Sequence, residues 1–300
     1  MENKISKKFN KKFKIRNLEL KNCFFLAPME GINDIAFRLL CKKAGAGLTY
    51  TPLTHPLTKQ KIHLEDKPGL QLFASKNSEI PAVISFMKKH QKKVSLFDFN
   101  LGCPAKTAKK HNFGYFLQDL KLIEKILKTM RNSTKKPVTC KIRKSPIAFD
   151  ILKIANKYCD AITIHPRTQT QGYSGKPDLK FAEKIKKQSK IPVIYSGDVD
   201  EKNAFFLLKK FDAVMIGRKA IGNPNIFSAL TQNENKKTKK INLTFQDYLK
   251  IAEKFNLSFK QIKLQAMNFT KGMKNARKMR LKLYKAKSLN DIKEVYGYKK

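Results

Sequence analysis

The chain has 300 residues, with 64 lysines and arginines against 23 aspartates and glutamates, and a formal net charge of +41. A chain of this length hides about three quarters of its extended surface on folding, and its five cysteines form no C-x2-C pair, so neither a disulfide framework nor a zinc ribbon is called for. No apolar run approaches the roughly 20 residues that cross a bilayer, which predicts a cytoplasmic protein with no membrane span; so basic a surface suits a polyanion such as RNA, although lysine is spread over ordinary solvent-facing positions as well.

Residues 1–18 read as a basic N-terminal extension, crowded with Lys4, Lys7, Lys8, Lys11 and Lys12. Short, almost continuously apolar runs then recur at 24–29, 48–51, 69–74, 96–100, 137–143, 161–165, 192–196 and 213–217. Stretches with apolar residues three and four apart fill most of the gaps, at 34–43, 77–89, 117–130, 148–157, 179–188 and 202–210. Strands that are apolar on both faces and separated by helices belong in a parallel sheet covered on both sides. Eight of them predict an α/β fold, a TIM barrel over residues 19–230, with a doubly wound open sheet as the alternative.

Residues 231–243 lack apolar periodicity and predict an exposed linker. From 244 to 300 the pattern becomes helical, at 245–255, 259–270, 275–284 and 289–295, which predicts a small all-helical second domain. Between Phe259 and Asn290 there is no acidic residue, while Arg277, Lys278 and Arg280 head a dense set of cations. A solvated helix surface usually mixes signs, so this segment reads as a nucleic-acid contact.

Polar and glycine-rich residues follow the strands at Pro28-Met29-Glu30-Gly31, Asn100-Leu101-Gly102-Cys103, His165-Pro166-Arg167, Ser196-Gly197-Asp198 and Gly217-Arg218. In a barrel these lie around one rim. Cys103 stands there in a turn beside the amide of Asn100, where a thiol could hand a proton to a bound molecule. Gly197, Gly217 and Arg218 follow the last two strands, where barrels commonly hold a phosphate; a flavin mononucleotide and a sugar phosphate fit equally. Gln71, Lys141 and His165 are polar residues in or at the ends of apolar strands and need partners there. A heterocyclic ring edge would supply them.

Taken in order, these segments resemble the tRNA-dihydrouridine synthases. Leu26-Ala27-Pro28-Met29-Glu30-Gly31-Ile32-Asn33-Asp34 is similar to their first flavin-binding motif and Asn100-Leu101-Gly102-Cys103-Pro104 to their catalytic loop. Thr139-Cys140-Lys141-Ile142-Arg143, Thr163-Ile164-His165-Pro166-Arg167, Ser196-Gly197-Asp198-Val199 and Met215-Ile216-Gly217-Arg218 continue the match. Glu30, Pro52 and Ser196 depart from the familiar pattern, standing where a small residue, a glutamate and an asparagine are usual.

The resemblance implies an FMN enzyme that reduces the C5–C6 bond of uridine in tRNA with NADPH or NADH as reductant, acting as a monomer. By position it implies flavin contacts from Ala27, Pro28, Met29, Gln71, Lys141, His165, Ser196, Gly197, Asp198, Gly217 and Arg218. Cys103 would be the general acid and Asn100 its neighbour in the substrate pocket. Arg167 would approach flavin phosphate or RNA, and Arg277, Lys278 and Arg280 would hold tRNA. Two other readings remain: an FMN barrel acting on a free pyrimidine or enone, and an RNA-binding protein without activity. Turnover without tRNA would mark the first, and a purified protein that takes up no flavin would mark the second.

Overall fold

The computed structural model describes residues 12–231 and 241–298. Most of the expected N-terminal extension and most of the expected linker lie outside them. A hairpin of β1 (Phe13–Ile15) and β2 (Leu18–Leu20) opens the described chain. Ile15 and Leu20 are buried, so residues 13–18, read from sequence as extension, contribute to the core.

Seven parallel strands form the main sheet: β3 (Phe24–Leu26), β4 (Gly69–Leu72), β5 (Leu96–Leu101), β6 (Val138–Arg143), β7 (Ala161–His165), β8 (Val193–Ser196) and β9 (Ala213–Ile216). Their order is β3-β9-β8-β7-β6-β5-β4, so chain order runs around the sheet and the first and second of them stand at its two edges. The expected strand at 48–51 is not a regular strand. It meets the sheet through isolated bridges, Phe25 with Leu48 on one edge and Tyr50 with Gly69 on the other. The Leu26 N–H donates to the Leu48 carbonyl at 2.9 Å and the Gly69 N–H to the Thr49 carbonyl at 2.8 Å. Each edge meets this segment through single bridges and not through a continuous ladder. The sheet is thus curled and seven-stranded, where the sequence predicted eight regular strands.

Register assigns the faces. Gln71 pairs with Asp98, Asp98 with Thr139, Asn100 with Lys141, Lys141 with Thr163 and Arg143 with His165. Alternate residues of a strand share a face, so these polar side chains gather on one face. Their neighbours Leu70, Leu72, Phe97, Phe99, Cys140, Ile142, Ile162 and Ile164 are buried on the other. Helices follow the strands along the chain: α1 (Ile35–Lys43), α2 (Ile80–His90), α3 (Lys106–Lys110), α4 (Leu120–Asn132), α5 (Ala148–Tyr158), α6 (Leu179–Gln188), α7 (Ala204–Leu208) and α8 (Ile226–Thr231). Three start on carboxylate caps, with Asp34, Asp119 and Asp178 accepting from the N–H groups of Phe37, Leu122 and Phe181. Each such cap is worth about 1 kcal/mol.

Four further helices follow, α9 (Phe245–Lys254), α10 (Phe259–Phe269), α11 (Ala276–Lys285) and α12 (Leu289–Val295). They are fastened to the loop after β3 through one carboxylate. A single oxygen of Asp34 accepts from the Tyr248 hydroxyl at 3.3 Å and from the side-chain amides of Gln261 and Gln265 at 2.8 Å each. The same two amides donate to the carbonyls of Gly31 and Ile32. Among the described residues no helix is long and apolar enough to cross a membrane.

Candidate active site

The polar face of the sheet leads to a cavity of about 330 Å³ at the C-terminal ends of the strands. Its lining joins Ala27, Pro28 and Met29 after β3, Lys141 of β6, His165 and Arg167 at the end of β7, Ser196, Gly197 and Asp198 at the end of β8, and Gly217 and Arg218 after β9. All eleven were singled out from the sequence. The structure adds Tyr173, Val199, Lys219 and Lys271. Tyr173 carried a local signal, since it stands between Gly172 and Gly175 in the loop that follows β7. Lys271 carried none, because it lies beyond α10 and reaches the cavity only through folding; its ammonium donates to the Arg218 carbonyl at 3.3 Å.

Arginines and one carboxylate shape the cavity wall. Arg167 is 1% exposed, and it donates to the carbonyls of Ser174 and Gly175, to His165 Nε2 at 3.4 Å and to both oxygens of Asp198. A guanidinium has five N–H donors, so these contacts occupy the whole fork. Arg167, expected against phosphate or RNA, lines the cavity with its fork engaged by these protein groups. Arg218 grips the same Asp198 from the cavity side and carries the Tyr173 ring 4.9 Å from its guanidinium carbon. Burial pushes the Asp198 carboxyl up, but the hydrogen bonds and charges of Arg167 and Arg218 outweigh it and hold the group below the usual carboxylate range.

His165 stays neutral. Burial, then the charges of Lys141, Arg143, Arg167 and Arg218, push its pKa down to about 2. An arginine can only donate, so His165 Nε2 accepts from Arg167 and the ring proton sits on Nδ1. Lys141 is pushed down to about 8 by burial and by Arg143, against the pull of Asp98 and Cys103. A lysine in this range still carries its charge at neutral pH and gives it up readily.

Gln71, Asn100 and Cys103 are not on the lining. Gln71 and Asn100 belong to a buried chain of hydrogen bonds beside it, and Cys103 sits at the end of that chain in the loop after β5. The Asn100 side-chain carbonyl accepts the N–H of Gly102 at 3.2 Å and that of Cys103 at 3.0 Å. Cys23, Cys41, Cys140 and Cys159 are buried, and Cys103 alone of the five is partly exposed. Arg277, Lys278 and Arg280 lie on α11, away from the cavity; all three are exposed, and Arg280 donates to Thr270 Oγ1 at 3.1 Å. Among the described residues no group of three or more histidines, cysteines and carboxylates could hold a metal ion.

Comparisons of sequence point to one family, and comparisons of structure to a shared fold. A tRNA-dihydrouridine synthase B of Pasteurella multocida is 34% identical over 238 residues, covering 72% of this chain and 71% of the relative. A probable tRNA-dihydrouridine synthase of Rickettsia bellii is 32% identical over 240 residues, covering 72% and 73%. Among solved structures, the old yellow enzyme homologue of Zymomonas mobilis overlays with a TM-score of 0.56 at 13% identity over 80% of this chain and 98% of its own. Histamine dehydrogenase of Rhizobium sp. 4-9 overlays with a TM-score of 0.55 at 11% identity over 74% and 47%. At such identities the two structures speak for the fold alone. The profile of the family described as Dihydrouridine synthase (Dus) matches residues 25–296, nearly all of the described chain, and with the polar cavity and the braced cysteine loop in place the chain belongs to the dihydrouridine synthase family of oxidoreductase enzymes.

Proposed function

We propose that the protein reduces the C5–C6 bond of uridine in tRNA, with FMN as its cofactor, NADPH as reductant and Cys103 as proton donor. In this reading residues 47–51 act as the missing stave that closes the sheet into a TIM barrel. The observation that carries the proposal is the adjacency of two things: a donor-rich cavity, and the one partly exposed cysteine on a loop tied to that cavity's own sheet face. Asn100, which ties the loop, is the register partner of the cavity residue Lys141.

The residues present fit FMN. Lys141, Arg218 and Lys271 bring positive charge to a cavity of about 330 Å³ that neutral His165 also lines. Thr163 Oγ1, next to Lys141 in register, is buried with no hydrogen-bond partner among the described residues. A phosphate would draw on the cations, and the polar edge of a ring on Lys141 and its neighbours. Bound there, the cofactor supplies the hydride for uracil C6.

The rest is the chain's own work. Cys103 delivers a proton to C5 from its loop, and Asn100 holds that loop. A uracil stacked inside tRNA reaches neither, so the nucleotide must be turned out at a cost of a few kcal/mol. The acid-free stretch carrying Arg277, Lys278 and Arg280 would hold the surrounding RNA backbone.

The test is direct: incubate flavin-loaded protein with NADPH and unmodified tRNA, then map dihydrouridine by nucleotide. One or a few converted uridines are expected. Steady NADPH oxidation with no dihydrouridine in any tRNA would reject the tRNA assignment, and a protein that takes up no flavin would reject the redox reading as well.

A further inference from the structure

Behind the Cys103 loop lies a chain of polar side chains with only one consistent direction. Asp98, in the middle of β5, is 1% exposed. One of its oxygens accepts from Gln71 Nε2 at 2.7 Å and the other from Thr139 Oγ1 at 2.5 Å. Gln71 Oε1 accepts from Asn100 Nδ2 at 3.0 Å. Asn100 Oδ1 then accepts the main-chain N–H groups of Gly102 and Cys103.

An amide side chain has nearly the same shape whichever way its oxygen and nitrogen point, so packing does not decide the orientation of Gln71 or Asn100. The two ends of the chain do. The loop end consists of two N–H groups that can only donate. The Asp98 end is a carboxylate that, ionised, can only accept. Gln71 must therefore turn its NH2 toward Asp98 and its carbonyl toward Asn100, and Asn100 must turn its carbonyl to the loop. Reversing either amide sets donor against donor among buried side chains.

We propose that Asp98, which touches neither the cavity nor the thiol, is the positioning residue that sets the direction of Gln71 and Asn100 and thereby fixes the loop that presents Cys103. The inference rests on the function proposed above only in taking Cys103 as the proton donor.

The test uses the fact that Cys103 is the one cysteine not buried, so alkylation of the folded protein by iodoacetamide reports on it, and a Cys103→Ala protein sets the background. Asp98→Asn can still give its carbonyl to Gln71 while its NH2 donates to the Thr139 hydroxyl, which accepts as well as donates; labelling rate and kcat should stay within about threefold of the parent. Asp98→Leu removes the anchor, and the double change Asp98→Asn with Thr139→Val removes the partner that kept the asparagine in place. Both should change the Cys103 labelling rate several-fold and lower kcat for tRNA at least about tenfold, with little change in KM, because a reacting group displaced by about 1 Å loses that much or more. Should Asp98→Leu fail to fold, the double variant decides. Folded variants that label and turn over like the parent would overturn the proposal. If the parent itself makes no dihydrouridine, the proposed function fails, while the labelling comparison still decides the role of Asp98.

Discussion

The side-chain carbonyl of Asn100 accepts the main-chain N–H of Cys103 at 3.0 Å, and Gly114 closes on both residues from the other side. Gly114 has a φ of +62°, and a Cβ on it would lie 2.8 Å from Cys103 Cβ and 2.9 Å from Asn100 Oδ1. Nothing larger than hydrogen fits there without moving the loop. Gly114→Ala combines left-handed strain with a clash, a loss of about 2–4 kcal/mol in urea unfolding. It should also slow uracil reduction more than it slows the NADPH half-reaction, because the displaced group is the cysteine loop and not the cavity wall. A variant as stable and as active as the parent would show that the loop has room to spare.

Cys103→Ala leaves this framework intact, since Asn100 holds the main chain of residue 103 and not its sulfur. The variant should keep flavin and tRNA at parental affinity and reduce uracil about 10²–10⁴-fold more slowly. Single-turnover mixing of the reduced, flavin-loaded protein with tRNA isolates that step. A folded variant that has lost both binding activities would assign Cys103 a different part.

The sequence made the strand ends legible because function and topology coincide there: short apolar runs end in Gly197, Gly217 and Cys103, and a parallel sheet brings all such ends to one side. Strand bounds at β7 and helix bounds at α6 and α12 match the expectation residue for residue. What it hid were relationships set by three-dimensional pairing. Residues 48–51 look like a strand, but they meet the two sheet edges only through isolated bridges. Arg167 looks like a free anion ligand next to His165, and only the fold shows that Ser174, Gly175 and Asp198 engage its guanidinium. Lys271 and the Asp34 joint depend on contacts across more than 200 residues of chain or on a helix folding back, for which local pattern carries no signal.

Arg277, Lys278 and Arg280 stand on one exposed helix, so replacing all three with glutamine should cost little stability beyond the Arg280 contact with Thr270. Each phosphate contact contributes about 0.7–0.9 to the slope of log affinity against log salt. If all three make such a contact, the slope falls by about 2–3 while NADPH oxidation by the flavin is unchanged. Affinity measured over a salt series checks this, and an unaltered slope would remove these residues from the tRNA footprint.

His165 makes the protein acid-sensitive in a way that can be isolated. Its folded pKa of about 2, set by burial and by four neighbouring cations, lies far below the value of about 6.5 in an unfolded chain. Between those values the unfolded chain carries a proton that the folded one does not, so stability rises with pH across this window and is progressively lost as pH falls below about 6.5. Above it the imidazole is neutral in both states and contributes no slope. His165→Asn removes the titrating group, so between pH 7.5 and 5 the parent should lose about 2 kcal/mol more than the variant, close to 1.4 kcal/mol for each pH unit below 6.5. Urea unfolding of both proteins across that range gives the difference directly. Equal losses would mean that an anion or water relieves the ring, and that His165 takes up its proton in the folded state after all.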